Sequence, residues 1–547
     1  MIKKAIVLAA GLGTRLRPLT CMAPKPMMPV WGEPMLKRIV DTLREMGVEQ
    51  IAINSHYLHE QVDEWAVANG CIPSYEPEIL GTGGVLNPLR GFIGGDDFYL
   101  VNGDILLDGA RDWKPSIPAG CIGEALVSSS LGPRTIELEP ANGWVVNWKS
   151  PDPGFDGTYT YLGFAALKAE ILDFVRPDGF STIIEAYEKA MLAGRFVKGT
   201  DLKGVLWTDA GTIESYIEVN TDGKDNAFHS LPQFRALAEN GREYENISFL
   251  GARGSDRVFF RADDDIVIVY DDASRAENAK YAGHTRFLAA HGIPVPELKA
   301  DLPDCKTLAM SWCGEGGYKL EHYVKVVETL ARFNALDFGA LELEPPFDAD
   351  LYRWEHDLFA EYCLARRFTL PLEDEVRADL DKLSAYLLKL PPALVHRDFQ
   401  STNILWNESG RMAIIDYQGM RKGPAAYDLA SLLYDPYISI PEGERRALAK
   451  LYAKAAHDET ILAALPYAAC QRLVQCLGAY GRLASVGKHE FCRYVEPALV
   501  NLLAVADDAG LDNLAALAET LIAQEERRHH HHHGHGGHCG CGGHHHG

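Results

Sequence analysis

The first stretch of the chain that could do chemistry follows an apolar run and reads LAAGLGTRLRP over residues 8–18. Glycines placed directly after a strand let backbone N–H groups approach the phosphates of a nucleotide. Arg15 in this stretch and Lys25 in the later PKPMMPV segment add fixed positive charge. A glycine-rich turn alone is a weak signal, so the added cations carry the prediction of a site for a phosphate-bearing ligand.

A second stretch whose side chains could take part in chemistry, VNGD over residues 101–104, ends another apolar run. Doubly wound α/β sheets bind their ligands beyond the carboxyl ends of the strands. We therefore expect Asn102 and Asp104 to lie at the same edge of a sheet as the glycine-rich stretch.

A third stretch places His396, Arg397 and Asp398 ahead of Asn403, and Asp416 follows a further apolar run. The spacing H-R-D-x-x-x-x-N is that of a kinase catalytic loop. In such a loop the first aspartate accepts a hydroxyl proton, while the asparagine and the second aspartate hold Mg²⁺ on ATP. We predict Asp398 as the base, and Asn403 and Asp416 as the metal ligands.

The residues GARGSDR at 251–257 precede the strand-like run VFFRA. We predict that Gly254 and Ser255 contact the phosphates of ATP, with a plain hairpin loop as the alternative.

The elements that must position these residues follow from the periodicity of the chain. The first 110 residues alternate short β-branched runs with helical patterns, which favours βαβ units and a mostly parallel sheet. Residues 125–164 read as a β-rich insertion, and the polar stretch TDGKDNAFHS at 221–230 marks a boundary. A new α/β pattern then gives way to helical periodicity from Leu320 onward. The predicted fold class is therefore α/β, with a Rossmann-like N-terminal domain and an α+β, protein-kinase-like C-terminal domain.

The motifs LAAGLGTRLRPLT, PKPMMPV, LGTGGV and VNGD together resemble the sugar-1-phosphate nucleotidylyltransferase family over residues 1–228. The resemblance implies that Arg15 and Lys25 bind the triphosphate and act in catalysis, and that Asp104 and Asp209 hold a metal ion. It implies nucleotide contacts from Ala10, Gly11, Gly13, Thr14, Gly81, Thr82, Gly83 and Asn102. Nucleotidyl transfer needs Mg²⁺ held by carboxylates and cations that stabilise the departing pyrophosphate, which agrees with these roles. Where the family commonly has a proline after the threonine of WTDAGT, this chain has Ile213.

The segment 394–418, with its IDYQ strand, resembles the aminoglycoside phosphotransferase and choline kinase superfamily, and the resemblance extends over about residues 245–520. It implies a largely structural role for Asp428. The superfamily usually carries a lysine on its third strand, whereas this chain reads IVIVYD, with no lysine to pair with Glu277. Either the triphosphate is held in another way or this half is a degenerate kinase, and the retained Asp398, Asn403 and Asp416 favour the first alternative.

The pairing of the two halves indicates the substrates. The kinase half is similar to anomeric N-acetylmuramate and N-acetylglucosamine kinases of cell-wall recycling, and the first half resembles the uridylyltransferase that works with them. We therefore expect ATP and UTP as substrates, Mg²⁺ as cofactor, and a UDP-sugar as product. Two alternatives stay open: choline kinase joined to phosphocholine cytidylyltransferase, and mannose 1-phosphate guanylyltransferase with a non-catalytic regulatory kinase-like domain.

The composition of the chain excludes several other classes. A net charge of −23 over 547 residues, without a basic block, argues against a nucleic-acid partner. No apolar run approaches the roughly 20 residues that span a bilayer. The 11 cysteines lack framework spacing, which predicts reduced thiols and a cytoplasmic location.

We predict three segments: a nucleotidylyltransferase domain at 1–228, a kinase domain at 245–525, and a disordered tail rich in His, Cys and Gly at 526–547. Imidazole and thiolate groups are good ligands for transition metals. The tail is therefore predicted to bind such metals in solution.

Overall fold

The computed structural model describes residues 2–202, 205–221, 227–253, 256–316, 319–339 and 341–533. The chain falls into two compact units, one formed by Met1–Ala276 with Lys299–Met310 and the other by Glu277–Leu298 with Ser311–Gly547. The domain boundaries near residues 228 and 245 rest on sequence motifs alone. They stay a prediction and are distinct from the two compact units of the fold.

The first unit is an α/β unit built on two larger sheets. Its strands are β1 (Lys4–Leu8), β2 (Pro29–Val30), β3 (Glu33–Pro34), β4 (Gln50–Ser55), β5 (Ile72–Tyr75), β6 (Phe98–Asn102), β7 (Ile105–Asp108), β8 (Cys121–Ser128), β9 (Ile136–Leu138), β10 (Val145–Asn147), β11 (Thr158–Leu167), β12 (Phe196–Asp201), β13 (Leu206–Asp209), β14 (Ile247–Arg253), β15 (Arg257–Ala262), β16 (Asp265–Tyr270), β17 (Leu298–Leu302) and β18 (Thr307–Ser311). Its α-helices are α1 (Met35–Glu45), α2 (His59–Ala68), α3 (Gly81–Gly84), α4 (Arg90–Ile93), α5 (Ile183–Leu192), α6 (Ile213–Thr221) and α7 (Pro232–Glu239).

The central sheet of this unit confirms the predicted α/β class. β1 pairs in parallel with both β4 and β6, and β4 pairs in parallel with β5. The middle residues of β1 are buried on both faces, as expected for a strand covered by helices on each side. α1 buries Met35, Leu36, Ile39, Val40 and Leu43 at helical spacing. The carboxyl ends of β1 and β6 therefore meet at one edge of the sheet.

The stretch predicted as a β-rich insertion extends the central sheet. β11 pairs antiparallel with β6 and with β8, and β12 pairs in parallel with β8. The ten residues of β11 are mostly buried, and it is long enough to pair with three strands. The sheet is therefore parallel around β1 and antiparallel beside β11.

A second sheet of the first unit has the order β14-β15-β16-β18-β17. Its buried side chains include Val258, Phe260 and Val269, which share a core with Leu16 and Leu19 from the segment after the glycine-rich stretch. Packing of this kind links residues more than 200 positions apart in sequence.

The second unit is mainly helical, as the periodicity after Leu320 predicts. Its strands are β19 (Glu315–Gly316), β20 (Pro392–Val395), β21 (Ile404–Trp406), β22 (Met412–Ile414) and β23 (Arg421–Pro424). Its helices are α8 (Tyr281–Ala290), α9 (Leu320–Asn334), α10 (Ala349–Leu358), a π-helix (Phe359–Phe368), α11 (Asp374–Leu387), α12 (Ala426–Leu433), α13 (Glu442–Ala456), α14 (Thr460–Ser485), α15 (Val495–Asp508) and α16 (Asp512–His533). Among the described residues, no helix is both long and apolar enough to cross a membrane.

Candidate active sites

A cluster of opposite charges lies where β6 and β13 end in the first unit. Lys25 Nζ is 2.8 Å from Asp104 Oδ2 and 3.5 Å from Asp209 Oδ1. Arg15 Nη2 is 3.7 Å from Asp209 Oδ2. The antiparallel pairing of β13 with β7 sets Asp209 opposite Ile105, the residue after Asp104. Tertiary pairing thus brings together four of the predicted site residues from three distant segments.

The two carboxylates of this cluster suit a hard cation such as Mg²⁺. Asp104 and Asp209 keep 36% and 41% of their side chains exposed, whereas Lys25 keeps 8%. Mg²⁺ is usually held by one or two carboxylates together with substrate phosphates. Within the described ranges, no group of three or more His, Cys, Asp or Glu side chains is placed to hold a metal. The cluster therefore fits Mg²⁺ that arrives with a nucleotide.

Gly211 stands close against this cluster. A Cβ at this position would lie 2.5 Å from Asp209 Oδ1 and 2.7 Å from Arg15 Nη2. Only a residue without a side chain leaves both charged groups where they are.

The end of β1 is tied to the Gly81 turn by two buried polar side chains. Asn54 Oδ1 accepts a hydrogen bond from Ala9 N at 2.5 Å, and Asn54 Nδ2 donates to Glu76 Oε1 at 2.8 Å. Glu76 Oε2 accepts from Leu80 N at 3.0 Å. This chain of bonds holds Ala9 and the following Ala10 in register with the turn at Leu80.

The Gly81 turn packs closely against the chain at residues 181–183. Gly81 has φ +78°, and a Cβ there would lie 2.5 Å from Ser181 O. Thr82 Oγ1 accepts a hydrogen bond from Ile183 N at 2.9 Å. The turn leads into α3, which contains Gly83.

The other predicted nucleotide contacts lie in the same part of the unit. Gly13 has φ +61° and precedes a 3-10 turn at Thr14–Leu16. Asn102 is the last residue of β6, beside Leu8 at the end of β1. A Cβ built on Gly11 would meet nothing within 4 Å, so the backbone there is open to a ligand. Their contacts with a nucleotide stay a prediction.

The second candidate site lies in the loop between β20 and β21 of the second unit. The buried carboxylate of Asp428 accepts hydrogen bonds from His396 N at 2.7 Å and Arg397 N at 2.9 Å. Asp435 accepts from Ser401 N at 2.8 Å. Two buried aspartates therefore hold the backbone of the loop between β20 and β21. The bonds of Asp428 are those expected of a structural residue.

Hydrogen bonds join Asn403 to Asp398 and to Ile415, the residue before Asp416. Asn403 Nδ2 donates to Asp398 O at 2.9 Å, and Ile415 N donates to Asn403 O at 3.0 Å. Asp416 follows directly, with φ +67°, in the left-handed region that a non-glycine residue seldom adopts. Backbone strain of this kind clusters at functional sites.

Asp398 itself is held by an arginine that the sequence motifs did not indicate. Arg472 Nη1, on α14, is 2.8 Å from Asp398 Oδ1. Burial favours the neutral acid, but Arg472 and Arg397 outweigh it and lower the pKa of Asp398 to about 2. The carboxylate is therefore ionised at neutral pH.

Sequence reasoning missed Asn54, Glu76 and Arg472. Asn54 and Glu76 stand near the ends of β4 and β5, where ligands of α/β sheets gather, so their positions carried a usable signal. Arg472 stands in the middle of a helix with no motif around it, and nothing in the local sequence distinguishes it.

Two predictions fall on parts of the chain that the structure leaves out. Gly254 and Ser255 lie outside the described residues, although β14 and β15 on either side form an antiparallel hairpin. α16 continues to His533, and residues 534–547 of the His- and Cys-rich tail also lie outside the description. Metal binding by the tail stays a prediction.

Comparison with known proteins agrees with the division of motifs along the chain. Residues 4–112 match the model of the nucleotidyl transferase family, and residues 246–467 match that of the phosphotransferase enzyme family. The chain is 32% identical over 235 residues to an N-acetylmuramate alpha-1-phosphate uridylyltransferase of Neisseria meningitidis, covering 38% of this chain and 94% of that protein.

Other relatives share the first of these families. A glucose-1-phosphate thymidylyltransferase of Streptomyces griseus is 28% identical over 45% of this chain and 76% of its own length. A bifunctional GlmU protein of Methanococcus maripaludis is 38% identical over 20% of this chain, but the match spans only 26% of that protein. The chain belongs to the sugar-1-phosphate nucleotidyltransferase family and carries in the same polypeptide a phosphotransferase-family kinase domain, so it is an enzyme with two transferase domains.

Proposed function

We propose that this enzyme phosphorylates a free amino sugar of the N-acetylmuramate or N-acetylglucosamine type with ATP and then converts the sugar 1-phosphate to a UDP-sugar with UTP. The observation that carries the proposal is that one chain contains both the carboxylates of Asp104 and Asp209 around Lys25 and, in its second unit, the loop in which Asn403 bonds Asp398. The 32% sequence identity to an N-acetylmuramate alpha-1-phosphate uridylyltransferase supports the proposed sugar and the proposed nucleobase. Such a reaction pair would serve cell-wall sugar salvage in the cytoplasm.

In the kinase reaction, the anomeric hydroxyl oxygen of the sugar attacks the γ-phosphorus of ATP, and ADP leaves. Asp398 accepts the hydroxyl proton, which gives the oxygen the electron density that the attack requires. Asn403 and Asp416 would hold Mg²⁺, which supplies positive charge to the phosphates of ATP.

In the nucleotidyl transfer, a phosphate oxygen of the sugar 1-phosphate attacks the α-phosphorus of UTP, and pyrophosphate leaves. Lys25 and Arg15 stabilise the negative charge that builds up on the phosphates. Asp104 and Asp209 would hold Mg²⁺ beside the α-phosphate. No covalent bond to the protein is needed, because the nucleophile comes with the substrate.

The order of the two steps follows from their chemistry. The product of anomeric phosphorylation is the nucleophile of the nucleotidyl transfer, whereas the reverse order has no substrate. Joining the two domains raises the effective concentration of the intermediate near the second site.

The test is to incubate the whole protein with ATP, UTP, Mg²⁺ and N-acetylmuramate or N-acetylglucosamine, and to measure ADP, pyrophosphate and UDP-sugar. We expect all three products, and UDP-sugar without ATP when the sugar 1-phosphate is supplied directly. Products formed only from choline and CTP, or only from mannose 1-phosphate and GTP, would contradict the proposal.

A further inference from the structure

A side chain of α14 contacts the catalytic loop of the second unit. Arg472 Nη1 donates to Asp398 Oδ1 at 2.8 Å and to Gln475 Oε1 at 3.0 Å. Arg472 Nη2 donates to Gln400 Oε1 at 2.9 Å. One guanidinium therefore contacts the loop at two residues on either side of Phe399.

The Arg472 side chain is much more buried than its partner Asp398, whereas in a fully buried ion pair both side chains would be enclosed. The Arg472 side chain keeps 6% exposure, whereas the Asp398 side chain keeps 38%. Asp398 Oδ2 makes no hydrogen bond with any residue that the structure describes. The arginine therefore holds one carboxylate oxygen from the interior and leaves the other open to an incoming group.

The segment of α14 that carries Arg472 is anchored to α10. The preceding Gln471 donates to Glu355 Oε2 at 2.8 Å and contacts His356 Nε2 at 2.8 Å. Both partners lie on α10 and are buried. These bonds hold α14 beside α10, and the bond from Arg472 Nη1 to Gln475 Oε1 restrains the guanidinium itself.

We propose that Arg472 is a positioning residue of the kinase reaction, whose guanidinium orients Asp398 and Gln400 so that Asp398 Oδ2 faces the acceptor hydroxyl. This inference rests on the kinase activity of the proposed function. It adds to that function a requirement for a residue outside the catalytic-loop motif. A misplacement of about 1 Å in a catalytic group can cost on the order of a hundredfold in rate.

The experiment compares Arg472→Met, Arg472→Lys and Arg367→Met in the full chain. Arg367 is the matched control, because it also forms an ion pair with a buried carboxylate of the second unit, that of Glu525, and does not touch the catalytic loop. Steady-state ADP release gives kcat and the KM values for sugar and ATP, and thermal unfolding gives the stability of each variant.

We expect Arg472→Met to lower kcat by about a hundredfold with less than about a threefold change in either KM. Arg472→Lys keeps a cation for Asp398 but loses the second contact with Gln400, so its kcat should lie between those of Arg472→Met and the parent. Arg367→Met should lower the unfolding temperature and leave kcat within about twofold at a temperature where it stays folded. A loss of kcat in Arg472→Met that merely tracks its loss of stability, or no rescue by lysine, would overturn the inference.

A separate measurement distinguishes failure of the proposed function from failure of the positioning role. If the parent protein phosphorylates no sugar, the proposed substrate is wrong, and the same variants are compared by ATP hydrolysis with water as the acceptor. Equal hydrolysis rates in the parent and Arg472→Met would then reject the positioning role, as would the absence of any ATP consumption by the parent.

Discussion

Each proposed reaction depends on a carboxylate that is held at one side and open at the other. Asp104 contacts Lys25 and keeps about a third of its side chain exposed, and Asp398 contacts Arg472 with similar exposure. A cation that donates a hydrogen bond to a carboxylate fixes its orientation. Each carboxylate therefore keeps exposed surface that an incoming group can approach.

Two substitutions should separate the reactions within one chain. Asp398→Asn removes the proton acceptor and should lower sugar phosphorylation by about a hundredfold to ten-thousandfold, while UDP-sugar formation from supplied sugar 1-phosphate is kept. Asp104→Asn should give the reverse pattern, with ADP release kept and pyrophosphate release lost. Assays of ADP and pyrophosphate on each variant check this. Loss of both activities in either variant would contradict the assignment of separate sites.

Gly211 offers a test of the charge cluster that leaves every charge in place. The added methyl group of Gly211→Ala would displace Asp209 and Arg15, so we expect the kcat for pyrophosphate release to fall by at least about tenfold. Gly91→Ala is the control, because a Cβ there meets nothing within 4 Å. Equal activity in the two variants would show that Asp209 and Arg15 are not needed at these positions.

At the scale of elements, strand ends and helix faces bring distant residues together. The carboxyl end of β1 is joined to the Gly81 turn through Asn54 and Glu76, and α14 reaches the catalytic loop through Arg472. Removing one member of such a buried polar chain leaves its partner without a hydrogen bond, at a cost of about 1–3 kcal/mol. These elements therefore stabilise the fold and position the sites through the same bonds.

The packing of α8 and α10 makes the stability of the protein depend on pH. Burial lowers the pKa of His284 and of His356 below the ordinary value of 6.5. Well above pH 6.5 both imidazoles are neutral whether the chain is folded or unfolded. Below 6.5 the unfolded chain binds protons that the folded chain does not, so the free energy of unfolding falls as pH decreases from 6.5 toward the lower folded pKa values.

We therefore expect the urea concentration at the unfolding midpoint of the second unit to decrease when the pH is lowered from 7.5 to 5.5. The variant His284→Asn/His356→Asn, compared at the same two pH values, should show a smaller fall, even though it is less stable at both. Denaturation followed by circular dichroism measures both midpoints. An equal fall in the parent and the variant would assign the pH dependence to other groups.

At the scale of the whole molecule, the first unit contains more than the nucleotidyl transferase motifs. Its second sheet, β14 to β18, shares a hydrophobic core with Leu16 and Leu19 of the segment that follows the glycine-rich stretch. Side chains in such a core are close-packed, so a change on the sheet is transmitted to that segment.

Phe260 is the side chain that best tests this shared core. It is fully buried, and its ring contacts Phe228 and Phe234 edge-on, with centroids 5.4 Å apart in each case. Phe260→Ala should cost about 3–5 kcal/mol of stability and lower nucleotidyl transfer at temperatures near the new unfolding midpoint. The exposed Phe155 provides the control, since Phe155→Ala should change the free energy of unfolding by less than about 0.5 kcal/mol. Thermal unfolding and pyrophosphate release check both variants, and normal transferase activity in a destabilised Phe260→Ala protein would argue against the link.

The sequence by itself determined the α/β class, the two enzyme families and the local motifs that carry Lys25, Asp104 and Asp398. These properties are encoded locally, because hydrophobic periodicity and short motifs define strands, helices and the loops at their ends. The roles of the individual site residues stay predictions. Gly254, Ser255 and residues 534–547 of the tail lie outside the described part of the chain.

Only the tertiary structure decided which distant side chains meet. It joined Asn54 to Glu76 and Arg472 to Asp398, placed β8 and β11 in the central sheet, and packed the second sheet against the segment around Leu16. These contacts depend on how whole elements pack and pair, and no local pattern of residue types specifies a partner 74 positions away.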